Sequence, residues 1–404
     1  MNRMRVIGWL VATVLVAACG STGGGGGGNA NSYSGKTIKF GSVLSLTGAG
    51  SVYGPQSLNG AKLAVKEINA AGGVNGAQIE LASEDDTSDK GISAQKTQAL
   101  IQSNQVLALL GPTLSNSAVA AHPLAESLKT PMLAVSTTGI HIVPDCKNPD
   151  PTPCKYVFRD SLGEETAIPD NIKSYASDAH PKTGVLLVAQ DDKFSSDGGT
   201  IVQNTVGQYN IQLLKVIKFN KGEADFSPYV TQAVKVNGVA PDVIFITSLG
   251  QIPAKLMTGA RNLGWQGQFL GGNGFNTSAV STQAGAAGAG ARSASAWYLG
   301  NDFPSNKDFV TAYKNEYSKD PDQFAAQGYT GMKILADAAK RANLTFTDVA
   351  GDRDKLRAAM ETVNLQTPLG PFQFTANHDV KQTVWIIQMD GAGGFKLVHE
   401  IKAS

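Results

Sequence analysis

The sequence predicts an α/β protein of two lobes, each a doubly wound parallel sheet flanked by helices. Three observations carry this. The chain has 404 residues, more than a single hydrophobic core usually organises. Between Thr37 and Ser136, short apolar runs alternate with amphipathic segments, as in repeated strand–helix–strand units. The same alternation returns between Gly184 and Leu270. Net charge is +1, from 34 basic and 33 acidic residues, so no nucleic-acid or polyanion partner is expected. The 45 glycines suit many tight strand–helix turns.

The first residues read as targeting sequence. Arg3 and Arg5 precede an apolar run from Val6 to Val16, 11 residues long and short for a membrane span. Val16-Ala17-Ala18-Cys19 resembles a bacterial lipobox. Residues 1–18 are then a lipoprotein signal peptide and Cys19 the lipidated residue; a plain secretory signal or an uncleaved anchor are the alternatives. Residues 19–35, rich in Gly and Ser, form a flexible tether.

The first strand is expected over Thr37–Leu44. A Gly/Ser loop containing Tyr53 follows, then a helix from Gln56 to Ala70. Its face carries Leu58, Ala61, Val65 and Ile68, and Gly72-Gly73 ends it. Gln78–Ala82 alternates as a strand, with Glu84-Asp85-Asp86 at its end. Ser93–Gln102 is a second helix. Val106–Leu110 is a buried strand that stops at Gly111-Pro112. Ser115, Asn116 and Ser117 open the next helix, which runs to about Lys129 with Pro123 inside it. Met132–Val135 is the following strand and ends in Ser136, Thr137 and Thr138. Two parallel strands thus end in hydroxyl-rich loops beside a helix start. That is where open parallel sheets bind ligands, and free helix N–H groups there suit a carboxylate. Ordinary caps and turns are the bland reading of the same residues.

Cys146 and Cys154 bracket a Pro-rich loop. After an export signal, a disulfide between them is expected, contributing roughly 2–3 kcal/mol on the loop-entropy model. A metal site is the alternative, but the five histidines are scattered, and no metal or cofactor is expected.

The second series begins with an extended run at Tyr156–Arg159 and a helix over Glu164–Ser177. Strands follow at Gly184–Ala189, Ile211–Phe219, Asp242–Thr247 and Gln268–Leu270. Helices between them span about Gly198–Gln208, Phe226–Val236 and Pro253–Asn262. The first of these strands ends in Asp191-Asp192, the last in Gly271-Gly272-Asn273-Gly274. Ala284–Ala291 reads as a mobile turn or short helix. Three helices then cover about Lys307–Tyr317, Ala325–Ala342 and Arg353–Thr362. Short strands at Phe372–Phe374, Val384–Gln388 and Phe395–Val398 form an antiparallel addition to the second lobe.

Catalytic signatures are missing: no P-loop, no GxSxG elbow, no HExxH, and no GxGxxG opening a helix. The carboxylate clusters at strand ends read as solvated turns more readily than as acid–base pairs. An enzyme is not expected.

Several segments, in order, carry a resemblance: LTGAGSVYGPQSLNGAKLAVKEINAAGGVNG (Leu46 to Gly76), LLGPTLSNSAVAA (Leu109 to Ala121), YVFRDS (Tyr156 to Ser161), VAQDDKFSSDG (Val188 to Gly198), DFSPYV (Asp225 to Val230), PDVIF (Pro241 to Phe245) and LGPFQF (Leu369 to Phe374). The chain resembles type I bacterial solute-binding proteins of the leucine/isoleucine/valine group that feed ABC transporters. The resemblance implies the type I periplasmic-binding-protein fold, its lobes joined by three crossovers and closing by a hinge. Mapped onto this chain, the crossovers fall near Arg159, Asp302 and Pro368. Lobe one is then residues 36–158 plus 302–367, and lobe two 159–301 plus 368–404. The implied carboxylate site is Ser115 and Thr138, with Asn116, Ser117 and Thr137 beside them. Tyr53 is implied to lie over the ligand. Phe194 stands where the family usually has Tyr, and Asn273 where amino-acid binders carry an acid. A buried ammonium needs a charged partner, so the implied ligand is a branched-chain amino acid or a related carboxylate or amide. Asn273 weighs toward one without a free α-amine, unless Asp191 or Asp192 meets the ammonium. The implied protein is a monomeric lipoprotein on the extracytoplasmic face of a membrane, partnered by permease subunits. A sensing receptor of the same fold is the alternative.

Overall fold

The computed structural model describes residues 32–140, 142 and 154–403. The signal peptide, Cys19, most of the tether, and Cys146 lie outside the described residues. Cys154 is described and buried.

In chain order the first elements are β1 (Thr37–Leu44), α1 (Gly54–Ala70), β2 (Gln78–Asp85), α2 (Lys90–Gln102), β3 (Ala108–Leu110), α3 (Ser115–Ser127), β4 (Met132–Ala134) and β5 (Val157–Arg159). Then come α4 (Glu164–Ala179), β6 (Thr183–Ala189), α5 (Lys193–Thr205), β7 (Gln212–Phe219), α6 (Ser227–Val234), β8 (Val243–Thr247), α7 (Ile252–Asn262), β9 (Gln268–Gly271), α8 (Ser278–Ala284) and β10 (Arg292–Ser295). The chain ends with α9 (Pro304–Tyr317), α10 (Gln323–Arg341), α11 (Val349–Met360), β11 (Leu365–Thr367), β12 (Gly370–Phe372), β13 (Val384–Met389) and β14 (Phe395–Ile401).

Among the described residues, lobe one is built on a parallel sheet in the order β2-β1-β3-β4-β5. Lobe two has the order β14-β13-β10-β9-β8-β6-β7. Its strands from β7 to β10 run parallel, and β13 and β14 are antiparallel additions. Both sheets are thus parallel-dominated and covered by helices, the mixed α/β architecture the alternation predicts. Residues 160–163 cross first from lobe one to lobe two. Residues 296–303 return the chain, and residues 373–383 cross last.

The third crossing falls later than Pro368. The hairpin of β11 and β12 stays with lobe one because Leu369 and Phe372 are buried in its core. Only β13 and β14 join lobe two. Helix α5 also starts earlier than Gly198, because Asp192 caps it by accepting the Ser195 N–H. Strand β10 carries only Arg-Ser-Ala-Ser, too short and polar a run to signal a strand. The stretch Ala284–Ala291 begins as the end of α8 and continues as a 3-10 turn over Gly285–Gly288.

Helices α1 and α10 pack closely enough to need glycine at the crossing. A Cβ on Gly60 would lie 2.0 Å from the Ala325 carbonyl oxygen, and one on Gly328 2.0 Å from that of Ser57. This contact fixes where α10 begins, and its first turn reaches the boundary between the lobes. Parallel register aligns the carboxyl ends of β1, β3 and β4 in one lobe and of β6, β8 and β9 in the other. The loops after these strands face each other.

Candidate functional site

The facing loops line a small pocket of about 10 Å³, room for about one water with the lobes this close. Tyr53, Ser115, Ser136 and Phe324 line it from lobe one; Phe194, Leu249 and Asn273 line it from lobe two. Leu114 and Leu249 also border a wider opening that includes Asp192 and Lys221.

Helix α3 points its start at this cavity. Its N-cap position is Leu114, and no side chain caps it. The first N–H groups of α3 are therefore left to a ligand or water. The Ser115 hydroxyl oxygen accepts the Gly139 N–H at 3.2 Å, which leaves its O–H to donate. Among the neighbouring hydroxyls, Thr137 donates to the Pro112 carbonyl at 2.8 Å and Ser136 to that of Thr113 at 2.9 Å. Both hydroxyl protons are thus spent bracing the loops, although Ser136 also lines the pocket. Ser117 is fully buried and its Oγ has no partner among the described residues.

Two of the predicted residues join the lobes. The Tyr53 hydroxyl donates to the Gly274 carbonyl and accepts the Gly250 N–H, both at 3.0 Å. Its ring lies 4.8 Å from that of Phe324, and burial pushes its hydroxyl well above the usual phenol range. Asn116 donates to Asp192 at 2.9 Å and accepts the Lys193 N–H at 2.9 Å. Phe194 is a buried wall of the cavity.

Asp191 sits elsewhere. It is exposed and accepts the Lys221 N–H at 2.8 Å, so it does not reach the cavity. Its neighbour Asp192 turns inward as the α5 cap, and burial raises its carboxyl above the usual range.

The acid that does approach Asn273 is Glu164, which the sequence presents as an ordinary helix residue. Glu164 opens α4 and is fully buried. Its Oε1 accepts the Asn273 N–H at 2.7 Å and the Thr138 hydroxyl at 3.3 Å. Its Oε2 has no partner among the described residues. Burial pushes this carboxyl up to about 8; the Asn273 N–H pulls it down and the charge of Glu165 raises it further. Acids in a first helical turn are routine partners of the helix dipole, so nothing local distinguishes this one.

At the hinge, Arg159 is 1 % exposed. It holds Asp379 of the third crossing at 2.5 Å and Glu165 of α4 at 2.8 Å. Beside it, Phe158 stacks on His378 with centroids 4.0 Å apart. The first and last crossings are thereby tied to each other.

The fold and cleft have known counterparts. A periplasmic binding protein family model matches residues 37–394. The leucine-, isoleucine-, valine-, threonine- and alanine-binding protein of Pseudomonas aeruginosa is 24% identical over 357 residues, 87% of this chain and 89% of that one. The crystal structure of the leucine binding protein LivK of Thermotoga maritima superposes with a TM-score of 0.80 at 25% identity, covering 90% of this chain and 99% of that one. The LivJ substrate-binding protein of Streptococcus pneumoniae, in complex with isoleucine, gives 0.79 at 26% identity, covering 91% and 100%. Two facing α/β lobes, a cavity between their strand-end loops and a match over nearly the whole described chain agree: this chain belongs to the periplasmic binding protein family, whose members are solute-binding proteins and not enzymes.

Proposed function

We propose that the protein is the extracytoplasmic solute-binding component of an ABC importer. It captures a small carboxylate-bearing solute between its lobes and presents it to permease subunits. The observation that carries this is the uncapped start of α3, with Ser115 facing a small pocket between the lobes whose opposite wall belongs to the other lobe. Helix N–H groups and a serine O–H are donors suited to a carboxylate. The apolar walls from Tyr53, Leu249, Phe194 and Phe324 suit a compact hydrocarbon body.

Binding and closure are one equilibrium. The Tyr53–Gly274 and Asn116–Asp192 bonds exist only when the lobes meet. A solute that touches both walls therefore favours the closed state. In this reading Cys19 carries the lipid, the Gly-rich segment after it is the tether, and Cys146 pairs with Cys154.

Relatives named for leucine, isoleucine and valine put branched-chain amino acids and their deaminated analogues first in a thermal-shift screen. A bound solute raises stability by about 2.7 kcal/mol at a hundredfold excess over Kd. Scattering should show the same solutes compacting the protein. A screen with no shift and no compaction would remove this reading.

A further inference from the structure

The wall opposite Ser115 has a fixed hydrogen-bonding polarity. A carboxamide has a donor end and an acceptor end, and only its neighbours reveal which is which. Gln323, in the first turn of α10, is 2 % exposed. One end of its amide meets the main-chain N–H of Ala296 at 2.8 Å and the Ser295 hydroxyl at 2.6 Å. A main-chain N–H can only donate, so that end is Oε1. The other end is therefore Nε2, and it reaches Asn273 at 2.5 Å. The atom it meets has to accept, which makes it Asn273 Oδ1.

A second amide agrees. Asn276 Nδ2 donates to the Ala294 carbonyl at 2.8 Å, which fixes it as a donor, and lies 3.4 Å from the same Asn273 oxygen. The Asn276 Oδ1 accepts the Ser293 hydroxyl at 2.5 Å. Turning Asn273 over would set its NH₂ against two other NH₂ groups in a buried site. Each donor so stranded would lose its hydrogen bond in a site shielded from water. The main-chain N–H of Asn273 is already held by Glu164. What Asn273 has left for the cavity it lines is Nδ2, a donor.

Little else on that wall offers an acceptor. The Tyr53 hydroxyl already gives its proton to Gly274 and takes one from Gly250. Glu164 stands behind Asn273, and its Oε2 packs on Gly272, where even a Cβ would lie 2.3 Å away. With its carboxyl pushed up to about 8, Glu164 is largely uncharged at neutral pH.

The geometry points to a solute that carries a hydrogen-bond acceptor, not an ammonium, at the atom facing Asn273: a small apolar 2-oxo or 2-hydroxy acid. This rests on the reading that the solute's carboxylate sits at Ser115. Gln323 and Asn276 are then positioning residues, and Asn273 is the residue that distinguishes an oxygen from an amine.

Calorimetric titration of the purified full-length protein with matched pairs tests it. The probes are 4-methyl-2-oxopentanoate against leucine, and phenylpyruvate against phenylalanine. In at least one pair the oxo acid should bind tenfold or more tighter than its amine partner. Asn273→Asp should reverse that order. Gln323→Met, which releases Asn273 to turn over, should bring the ratio toward one, with circular dichroism reporting the fold of both variants. Leucine or phenylalanine binding as tightly as its oxo acid would overturn the inference and leave the cleft reading standing, as would an unchanged order in a folded Asn273→Asp. Failure of all four probes to bind would overturn the inference together with the carboxylate site beneath it.

Discussion

The hydroxyl of Tyr53 donates to the main-chain carbonyl of Gly274 at 3.0 Å, across the boundary between the two lobes. The same oxygen accepts the N–H of Gly250, also from lobe two. One side chain of lobe one thus satisfies two backbone groups of the other lobe. Tyr53→Phe strands both groups in the closed state but leaves them to water in the open one. Solute affinity should fall about 5- to 30-fold, from a loss of ~1–2 kcal/mol. Calorimetry reads the affinity, and scattering should show the variant less compact before solute is added.

Ser115 offers the one side-chain donor at the start of α3 that lines the cavity. Removing a hydrogen bond to a charged group costs ~1.5–3 kcal/mol. Ser115→Ala should therefore weaken carboxylate binding about 10- to 150-fold. Its effect on unfolding in urea should be about 1 kcal/mol, because the buried Gly139 N–H loses its acceptor. A variant that binds as well as the parent would place the carboxylate elsewhere.

Arg159 is buried between Asp379 and Glu165. Arg159→Met removes the cation and leaves those acids facing one another. Breaking a buried ion pair in this way costs ~3–5 kcal/mol; both acids here are partly exposed, which puts the expectation at the low end. The urea midpoint should drop with an unchanged slope. Arg159→Lys should recover only part, since a single ammonium cannot hold two carboxylates in a planar fork.

Stability of the solute-free protein should fall as pH rises through the range where buried acids ionise. Glu164 is pushed up to about 8 and Asp322 to about 6, and Asp160, fully buried without a partner among the described residues, also titrates above its usual range. Between the ordinary carboxylate range and these raised values the folded state holds more protons than the unfolded chain. The derivative of unfolding free energy with pH is then negative. The contribution is fully present below the ordinary range and is lost as pH passes about 8. Each tenfold difference in proton affinity between the folded and unfolded chain is worth ~1.4 kcal/mol. Melting temperatures measured from pH 5 to 9 should decline across that interval. Glu164→Gln should flatten the upper part of the decline, and a slope identical to the parent's would show that Glu164 is not a raised acid.

Much of the parallel architecture was legible because buried strands such as Val-Leu-Ala-Leu-Leu and Asp-Val-Ile-Phe-Ile-Thr are short apolar runs ended by glycine or hydroxyl residues. The start of α3 was legible for the same local reason. Other features were not. Strand β10 is polar and short, and is a strand because β9 and β13 flank it. The hairpin at Leu369 and Phe372 belongs to lobe one because of the core that buries it. Asp191 and Asp192 look alike in sequence, yet the turn sends one to solvent and the other into a helix cap.

By itself the sequence determined two α/β lobes and the loops that would face each other; Tyr53, Phe194 and Asn273 were implied as walls of the cleft only through the family resemblance. Tertiary structure decided what those walls present. Glu164 becomes part of the site only when α4 is set against the Gly271-Gly272-Asn273 turn, 109 residues away along the chain. Asn273 becomes a donor only because Gln323, 50 residues further on, is itself oriented by the N–H of Ala296. Hydrophobic pattern and turn chemistry act over a few residues, so a sequence displays them. Hydrogen-bond polarity and the ionisation of a buried acid depend on neighbours brought together from distant segments, and those neighbours exist only once the chain has folded.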